Sequence, residues 1–219
     1  MKIFIAIPSY DHKVYAQTMA ALLQEQMAAD TTGDQLIYCV APGYSLVTHA
    51  RNDLVKNFLD SDCQRLFFID ADVAWEQGAL LKLAKMPVDI VGGAYRYKHE
   101  PESYPIHWPP VDVVKANADG LIEVHGLPTG FMSVSRSVFA RLKARFHERA
   151  YEFHGKAYHA FFHAPFMDGK FHGEDTAFCA EWRSIGGKLY LDPTLKLTHV
   201  EGGQSYTGCI ADWLKRKAK

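Results

Sequence analysis

The sequence of 219 residues has few cysteines and lacks long hydrophobic runs. No two of its four cysteines form a CxxC pair, which argues against a disulfide framework and favours isolated thiols in a cytoplasmic protein. No apolar stretch approaches the roughly 18 residues that a membrane span needs. The first apolar run, residues 3–7, is broken by Pro8 and is too short for a signal-peptide core. We therefore expect a cytoplasmic protein without a membrane span.

The chain also lacks an excess of charge of one sign. Its formal net charge is -1, so no overall field favours nucleic acid as a partner. The basic tail, residues 212–219, leaves peripheral contact with an anionic membrane open, with a solvated tail as the alternative. A hydrophobic fraction of 48% and a charged fraction of 22% are typical of a globular protein, and the length suits one α/β domain better than two.

Apolar segments of strand length alternate with segments of helical spacing in the first half of the chain, which predicts an α/β fold with a mostly parallel sheet. The second half is less regular: residues 99–110, 146–172 and the segment from Gly202 onward are predicted as loops. The predicted strands are residues 3–7, 36–40, 66–69, 88–91, 121–124, 131–134, 189–191 and 195–197. The predicted helices are residues 13–29, 50–58, 76–85, 137–145 and 176–185.

Two carboxylates follow the third predicted strand, in the sequence FFIDADV at residues 67–73. Ligands of α/β sheets bind beyond the carboxyl ends of strands, and Mg²⁺ or Mn²⁺ takes carboxylate oxygens together with substrate phosphates. Asp70 and Asp72 are therefore candidate metal ligands. The alternative is that they cap the next helix.

Two further segments carry candidate chemistry. Glu174 and Asp175 precede a predicted helix, where a carboxylate is either a general base or a helix N-cap. His199 ends a predicted strand, where an imidazole either completes a metal site or is structural. Each segment alone is ambiguous, but both follow the DxD motif along the chain, and this order is more specific than either segment.

In this order the chain resembles a GT-A-fold nucleotide-sugar glycosyltransferase, similar to the family-2-like enzymes and their short viral and bacterial members. The resemblance spans nearly the whole chain. The segments that carry it are IAIPSY (5–10), FFIDADV (67–73), DIVGGAYRYK (89–98), GLPTGFMSVSRSVF (126–139) and HGEDTAFCAEWRSIGGKLYLDPTLKLTHVEGG (172–203).

The resemblance implies a Rossmann-like central sheet flanked by helices, with a small second sheet near the acceptor side. It also implies one domain over 1–219, with a nucleotide-binding half at 1–100 and an acceptor-binding half at 101–219. The implied metal ligands are Asp70, Asp72 and His199, holding Mn²⁺ or Mg²⁺. The implied contacts to the nucleotide sugar are Pro8, Ser9, Tyr10, Arg51, Asp70, Ala71, Asp72, Gly130, Ser205 and Tyr206.

The resemblance further implies an enzyme that transfers one sugar to a hydroxyl of a carbohydrate or glycoconjugate acceptor. Asp175 matches the general base of inverting members, with Glu174 as its helper or as an acceptor contact. Retention of configuration stays open, because DxD and histidine also occur in retaining members. A UDP-sugar is the favoured donor and a GDP-sugar the alternative. The usual aspartate after the second strand is absent from Val40-Ala41-Pro42, so the nucleotide is left open. The QxxRW signature of processive synthases is also absent.

Two other functions are consistent with the motifs. Asp70-Ala71-Asp72-Val73 also matches the motif of haloacid-dehalogenase-type phosphatases, although that motif normally lies on the first strand. A non-catalytic module that binds nucleotide sugars is the second alternative. The segment 146–172, rich in histidine and aromatic residues, is either an acceptor-side loop that stacks on sugars or ordinary loop packing.

Overall fold

A computed structural model describes residues 1–111, 113–167 and 169–217 of the chain. The helices are α1 (Ala16–Thr32), α2 (Val47–Asp60), α3 (Ala79–Ala84), α4 (Arg136–Arg145), α5 (Glu174–Ser184) and α6 (Ile210–Lys217). The strands are β1 (Lys2–Ser9), β2 (Gln35–Pro42), β3 (Arg65–Ile69), β4 (Val73–Trp75), β5 (Ile90–Gly92), β6 (Ile122–Val124), β7 (Phe131–Ser135), β8 (Ala150–Phe153), β9 (Lys156–His159), β10 (Phe166–Met167), β11 (Lys170–Phe171), β12 (Leu189–Leu191), β13 (Lys196–Glu201) and β14 (Gln204–Cys209).

The central sheet has seven strands in the order β2-β1-β3-β7-β5-β12-β6. Strand β1 is parallel to β2 and β3, and β12 is parallel to β5. Strand β7 is antiparallel to both β3 and β5, and β6 is antiparallel to β12. Five strands therefore run in one direction and β6 and β7 in the other. The prediction of an α/β fold with a mostly parallel sheet is confirmed.

Both faces of β3 are buried, in keeping with its continuous apolar run. Phe68 packs on one face with Phe58 of α2 and Phe178 of α5. Phe67 packs on the opposite face with Leu22 of α1 and Leu80 of α3. Helices thus pack against both faces of β3, and this packing fixes the position of the residues that follow Ile69. Among the residues that the structure describes, no helix is long and apolar enough to cross a membrane.

A second sheet has three strands in the order β14-β13-β4. Strand β4 begins at Val73, directly after Asp72, and His199 of β13 pairs with Val73 in the register. The backbone N–H of Val200 also donates to the carbonyl of Asp72 at 2.9 Å. This pairing brings the end of β3 next to the middle of β13.

The predictions of loops at 146–172 and after Gly202 are wrong in part. Strands β8 and β9 form an antiparallel hairpin within the first segment, and β10 and β11 form a second, shorter one. Residues beyond Gly202 form β14 and α6.

A fully buried glutamate caps helix α3 from a neighbouring helix. The Glu25 carboxylate of α1 accepts hydrogen bonds from the backbone N–H groups of Gly78 and Leu81, both at 2.9 Å, and from the Trp75 indole at 3.0 Å. These N–H groups belong to the first turn of α3, whose donors have no partner within the helix. Glu25 therefore replaces a local N-cap residue.

We expect Glu25→Ala to lower the free energy of unfolding by about 3 kcal/mol or more, because three donors, two of them buried, lose their acceptor and each buried loss costs roughly 1–3 kcal/mol. Urea unfolding measures this change. Glu76→Ala is the control. The Glu76 side chain is 73% exposed, and its ion pair with Lys196 is long, at 3.9 Å. We expect the control to stay within about 0.5 kcal/mol of the wild type. Equal unfolding midpoints for the two variants would contradict the capping role.

Candidate functional site

A cavity of about 530 Å³ opens at the carboxyl ends of β1, β2 and β3. Its position is the one at which open α/β sheets bind ligands, and its volume suits a small organic ligand. Its walls include aromatic, hydroxyl and charged side chains. The lining residues are Pro8, Ser9, Tyr10, Asp11, Lys13, Tyr15, Tyr44, Ser45, Leu46, Val47, Ala50, Arg51, Asp70, Ala71 and Asp72. The structure thus brings together seven of the predicted nucleotide-sugar contacts: Pro8, Ser9, Tyr10, Arg51, Asp70, Ala71 and Asp72.

Asp70 is held by a hydrogen-bonded network at the end of β3. Its Oδ1 accepts from Arg51 Nη2 at 3.1 Å, and its Oδ2 accepts from the Tyr95 hydroxyl at 3.1 Å. Its backbone N–H donates to the Gly130 carbonyl at 3.0 Å. Burial, reinforced by the nearby Asp70 carboxylate, raises the pKa of the Tyr95 hydroxyl well above its usual value. Tyr95 therefore stays protonated and donates to Asp70.

Arg51 joins Asp70 to Glu174 across the site. It is 3% exposed, its Nε donates to Glu174 Oε1 at 3.2 Å, and its guanidinium lies 5.5 Å from the centre of the Phe68 ring. Burial alone would lower the pKa of the Arg51 guanidinium. The carboxylates of Asp70 and Glu174 raise this pKa by more than burial lowers it, so the net shift is upward. Nη1 is buried and has no hydrogen-bond partner among the described residues. Nε and Nη2 therefore fix Arg51 between the two carboxylates.

Asp72 points to a different set of partners. Its Oδ2 lies 2.6 Å from Lys98 Nζ and 3.5 Å from His199 Nε2. His199 Nδ1 is 3.1 Å from the carbonyl oxygen of Arg96, which can only accept, so Nδ1 carries a proton. Burial alone would raise the pKa of the Asp72 carboxyl. Hydrogen bonds from His199 and Lys98 lower this pKa by more than burial raises it, so the net shift is downward.

The donor set of Asp72 and His199 fits a divalent cation, because a backbone carbonyl orients the imidazole in the way that metal-ligating histidines show. Two protein ligands suffice where substrate phosphates supply others. Among the described residues, however, no group of three or more histidine, cysteine, aspartate or glutamate side chains is arranged to hold a metal. Asp70 is engaged by Arg51 and Tyr95 instead. The three-ligand set of Asp70, Asp72 and His199 stays a prediction.

A second cavity, of about 790 Å³, adjoins the first. It shares Leu46 and Val47 with the first cavity. Its other lining residues are Thr48, His49, Asn52, Glu148, Arg149, Ala150, Tyr151, Ala160, Phe162, His163, Ala164 and Glu174. Asn52 exchanges two hydrogen bonds of 2.9 Å with the backbone of Phe162, which fixes one wall. The Arg51–Glu174 ion pair therefore forms part of the boundary between two cavities.

Asp175 lies in the first turn of α5 beside Glu174. Its Oδ1 accepts the backbone N–H of Thr176 at 2.6 Å. Its Oδ2 makes no hydrogen bond within the part of the chain that the structure describes. The carboxylate is thus oriented by one oxygen and has the other available as a base.

Ser205 and Tyr206 lie on β14, where Tyr206 pairs with His199 in the register. The guanidinium of Arg96 lies 5.7 Å from the centre of the Tyr206 ring. They belong to a hairpin rather than to the loop that the sequence predicts. Their contact with a nucleotide sugar stays a prediction.

Sequence reasoning assigned no role to Tyr95 or Lys98, although both contact the DxD carboxylates. Both lie in the segment after β5, where Gly92-Gly93 allows close packing: a Cβ on Gly93 would come within 2.8 Å of Leu197. A tyrosine and a lysine just beyond the end of a central strand are the signal that was available.

Gly130 lies against the Asp70–Tyr95 pair. A Cβ at this position would collide with Asp70 Oδ2 and lie 2.5 Å from the Tyr95 hydroxyl. We expect Gly130→Ala to displace Asp70 and to lower the free energy of unfolding by about 1–3 kcal/mol, the usual cost of overpacking. Chemical denaturation measures this cost.

A double-mutant cycle with Tyr95→Phe tests the cause of that loss. Removing the hydroxyl relieves one of the two collisions, so Gly130→Ala should cost less in the Tyr95→Phe background than in the wild type. Equal costs in both backgrounds would show that the Asp70–Tyr95 pair is not what excludes a side chain at residue 130.

No family model matches the chain, and a search of curated proteins finds no match by sequence. Solved structures do match. A197 from STIV is 19% identical with a TM-score of 0.56 over 93% of this chain and 87% of that chain. The catalytic domain of Drosophila beta1,4galactosyltransferase 7, in complex with xylobiose, is 10% identical with a TM-score of 0.51 over 94% of this chain and 69% of that one.

GalNAc-T7, in a structure with UDP, GalNAc and Mn2+, is 10% identical with a TM-score of 0.50, over 92% of this chain and 44% of that chain. At these identities the likeness establishes the fold. The chain has the GT-A fold of glycosyltransferase catalytic domains, as the resemblance implied.

Proposed function

We propose that the protein is a metal-dependent glycosyltransferase that transfers one sugar from a nucleotide diphosphate to an acceptor hydroxyl. One observation carries the proposal. A cavity at the strand ends is lined by Asp72, which lies 3.5 Å from His199, and by Arg51, whose ion-pair partner Glu174 lines a second cavity. A transferase needs two substrate sites that meet at one point, and this arrangement supports that requirement.

The first cavity is the proposed donor site. Tyr10, Tyr15 and Tyr44 offer aromatic surface for the base, and Arg51 and Lys13 offer cationic donors for the diphosphate. The use of UDP and Mn2+ is supported by GalNAc-T7, whose structure contains both. We favour a UDP-sugar, with a GDP-sugar as the alternative, and Mn²⁺ or Mg²⁺ held by Asp72 and His199. When bound, such a cation neutralises charge on the departing diphosphate.

The second cavity is the proposed acceptor site, for a carbohydrate or glycoconjugate. The acceptor hydroxyl approaches the anomeric carbon from this side, and Asp175 accepts its proton as the new C–O bond forms. The bond between the anomeric carbon and the diphosphate oxygen breaks, and its electron pair leaves with the nucleoside diphosphate. Attack from the face opposite the leaving group inverts the anomeric centre. Glu174, fixed by Arg51, orients the acceptor.

We also propose that all of residues 1–219 form this one catalytic domain, and that it works in the cytoplasm. The four free cysteines support a reducing compartment.

Thermal shift with a panel of UDP- and GDP-sugars, with and without Mn²⁺, tests the proposed donor. A ligand at 100 times its dissociation constant stabilises a protein by about 2.7 kcal/mol, which a melting curve resolves. We expect one nucleotide family to raise the melting temperature, and to do so more strongly with Mn²⁺. Asp72→Asn should remove the Mn²⁺-dependent part of the shift. No shift with any nucleotide sugar would refute the function.

A further inference from the structure

The ammonium group of Lys98 forms an ion pair with the Asp72 carboxylate. Its Nζ lies 2.6 Å from Asp72 Oδ2, the oxygen that His199 Nε2 approaches to 3.5 Å, and 3.5 Å from Glu201 Oε1. The side chains of Lys98 and Asp72 are each 23% exposed, so the pair is partly shielded from water. One carboxylate oxygen thus serves two partners.

This position conflicts with the binding of a divalent ion. A cation bound by Asp72 and His199 shares Asp72 Oδ2 with the ammonium of Lys98, and two cations at one oxygen repel each other strongly where water is partly excluded. The ammonium therefore has to leave before a cation binds. Glu201, at the end of β13, already lies within its reach.

We propose that Lys98 is a resident counter-ion of Asp72 that a divalent cation must displace, so that Lys98 weakens metal binding in the protein without a nucleotide. This inference rests on the proposed function, because it takes Asp72 and His199 as the cation ligands. The displaced ammonium becomes available to the diphosphate that arrives with the cation. Lys98 thereby favours loading of the cation and the nucleotide together over loading of the cation alone, which is a positive coupling between two ligands.

Mn²⁺ binding to the protein without any nucleotide tests the proposal directly. Free Mn²⁺ is measured by electron paramagnetic resonance during a titration of each variant. We expect Lys98→Met to bind Mn²⁺ about tenfold or more tightly than the wild type, because the competing charge is gone. Lys98→Gln, which keeps a polar chain, should behave in the same way and guards against misfolding of the first variant.

Two controls define the result. Lys196→Met removes an equal charge from an exposed lysine on β13, the strand of His199, and should leave the affinity within about twofold of the wild type. Adding Asp72→Asn to Lys98→Met should abolish the gain, which locates the ion at this site. Unchanged or weaker Mn²⁺ binding by both Lys98 variants, or an equal gain in Lys196→Met, would overturn the proposal. So would a lack of Mn²⁺ binding in every variant.

The failure of this inference is distinguishable from failure of the proposed function. If nucleotide sugars stabilise the protein while Mn²⁺ affinity is insensitive to Lys98, only the role of Lys98 is refuted. If no nucleotide sugar stabilises it, the function itself is refuted, whatever the Mn²⁺ titrations show.

Discussion

Replacing Asp175 with asparagine should lower the rate of sugar transfer by about 10²–10⁴-fold, the usual contribution of a general base. Asparagine keeps the size of the side chain, and its carbonyl oxygen can still accept the N–H of Thr176 that orients Asp175. It cannot take a proton from the acceptor hydroxyl. The affinity for the donor should stay unchanged, because Asp175 is not among the residues that line the first cavity.

Steady-state transfer assays and donor titrations by thermal shift separate these two effects. Glu174→Gln is the matched comparison, since it changes the adjacent carboxylate of the same helical turn. We expect it to weaken acceptor binding and the Arg51 contact while retaining more activity than Asp175→Asn. A larger loss of rate in Glu174→Gln would assign the base to Glu174. Donor binding without turnover in the wild type would favour the non-catalytic module.

The convergence of distant segments could be predicted from the sequence because it follows from strand ends. When apolar runs are predicted as parallel strands, the residues that follow each run are expected at the same edge of the sheet. This reasoning brought Ser9, Asp70 and Asp72 to one cavity, and the second sheet then places His199 beside Asp72. The order of motifs carried the information, and each motif alone was ambiguous.

The separate environments of Asp70 and Asp72 could not be predicted, because they depend on a turn and on tertiary partners. The N–H of Val73 donates to the carbonyl of Asp70 at 3.1 Å, which closes a tight turn over residues 70–73. The chain reverses there, so Asp70 meets Arg51 and Asp72 meets Lys98. A DxD pattern says nothing about which cation each carboxylate contacts.

The hairpin of β8 and β9 was missed because its turn has an uncommon sequence. His154 and Gly155 have φ values of 49° and 71°, and two successive positive φ angles are what a two-residue hairpin turn requires. Asparagine, aspartate or glycine before glycine is the usual signal. Histidine before glycine is not part of that signal, although histidine adopts a positive φ more often than most residues. Stacking of Tyr151 on Tyr158 across the strands, with ring centres 5.4 Å apart, then supports the pairing.

Replacing Arg51 with methionine should lower the free energy of unfolding by about 3–5 kcal/mol, the cost of removing one partner from a buried ion pair. Methionine has a comparable length and fills the apolar space next to Phe68, so the loss would arise from charge rather than from a cavity. Asp70 and Glu174, whose side chains are 26% and 18% exposed, would then face each other without a cation between them. Chemical denaturation measures the loss.

A compensating variant separates electrostatics from packing. If repulsion between the two carboxylates causes the loss, adding Asp70→Asn and Glu174→Gln to Arg51→Met should recover a large part of the stability, because no uncompensated charge remains. Arg183→Met, an exposed arginine of α5, should stay within about 0.5 kcal/mol of the wild type. Arg51→Met without any loss would mean that water already screens both carboxylates, and that the boundary between the two cavities does not depend on this cation.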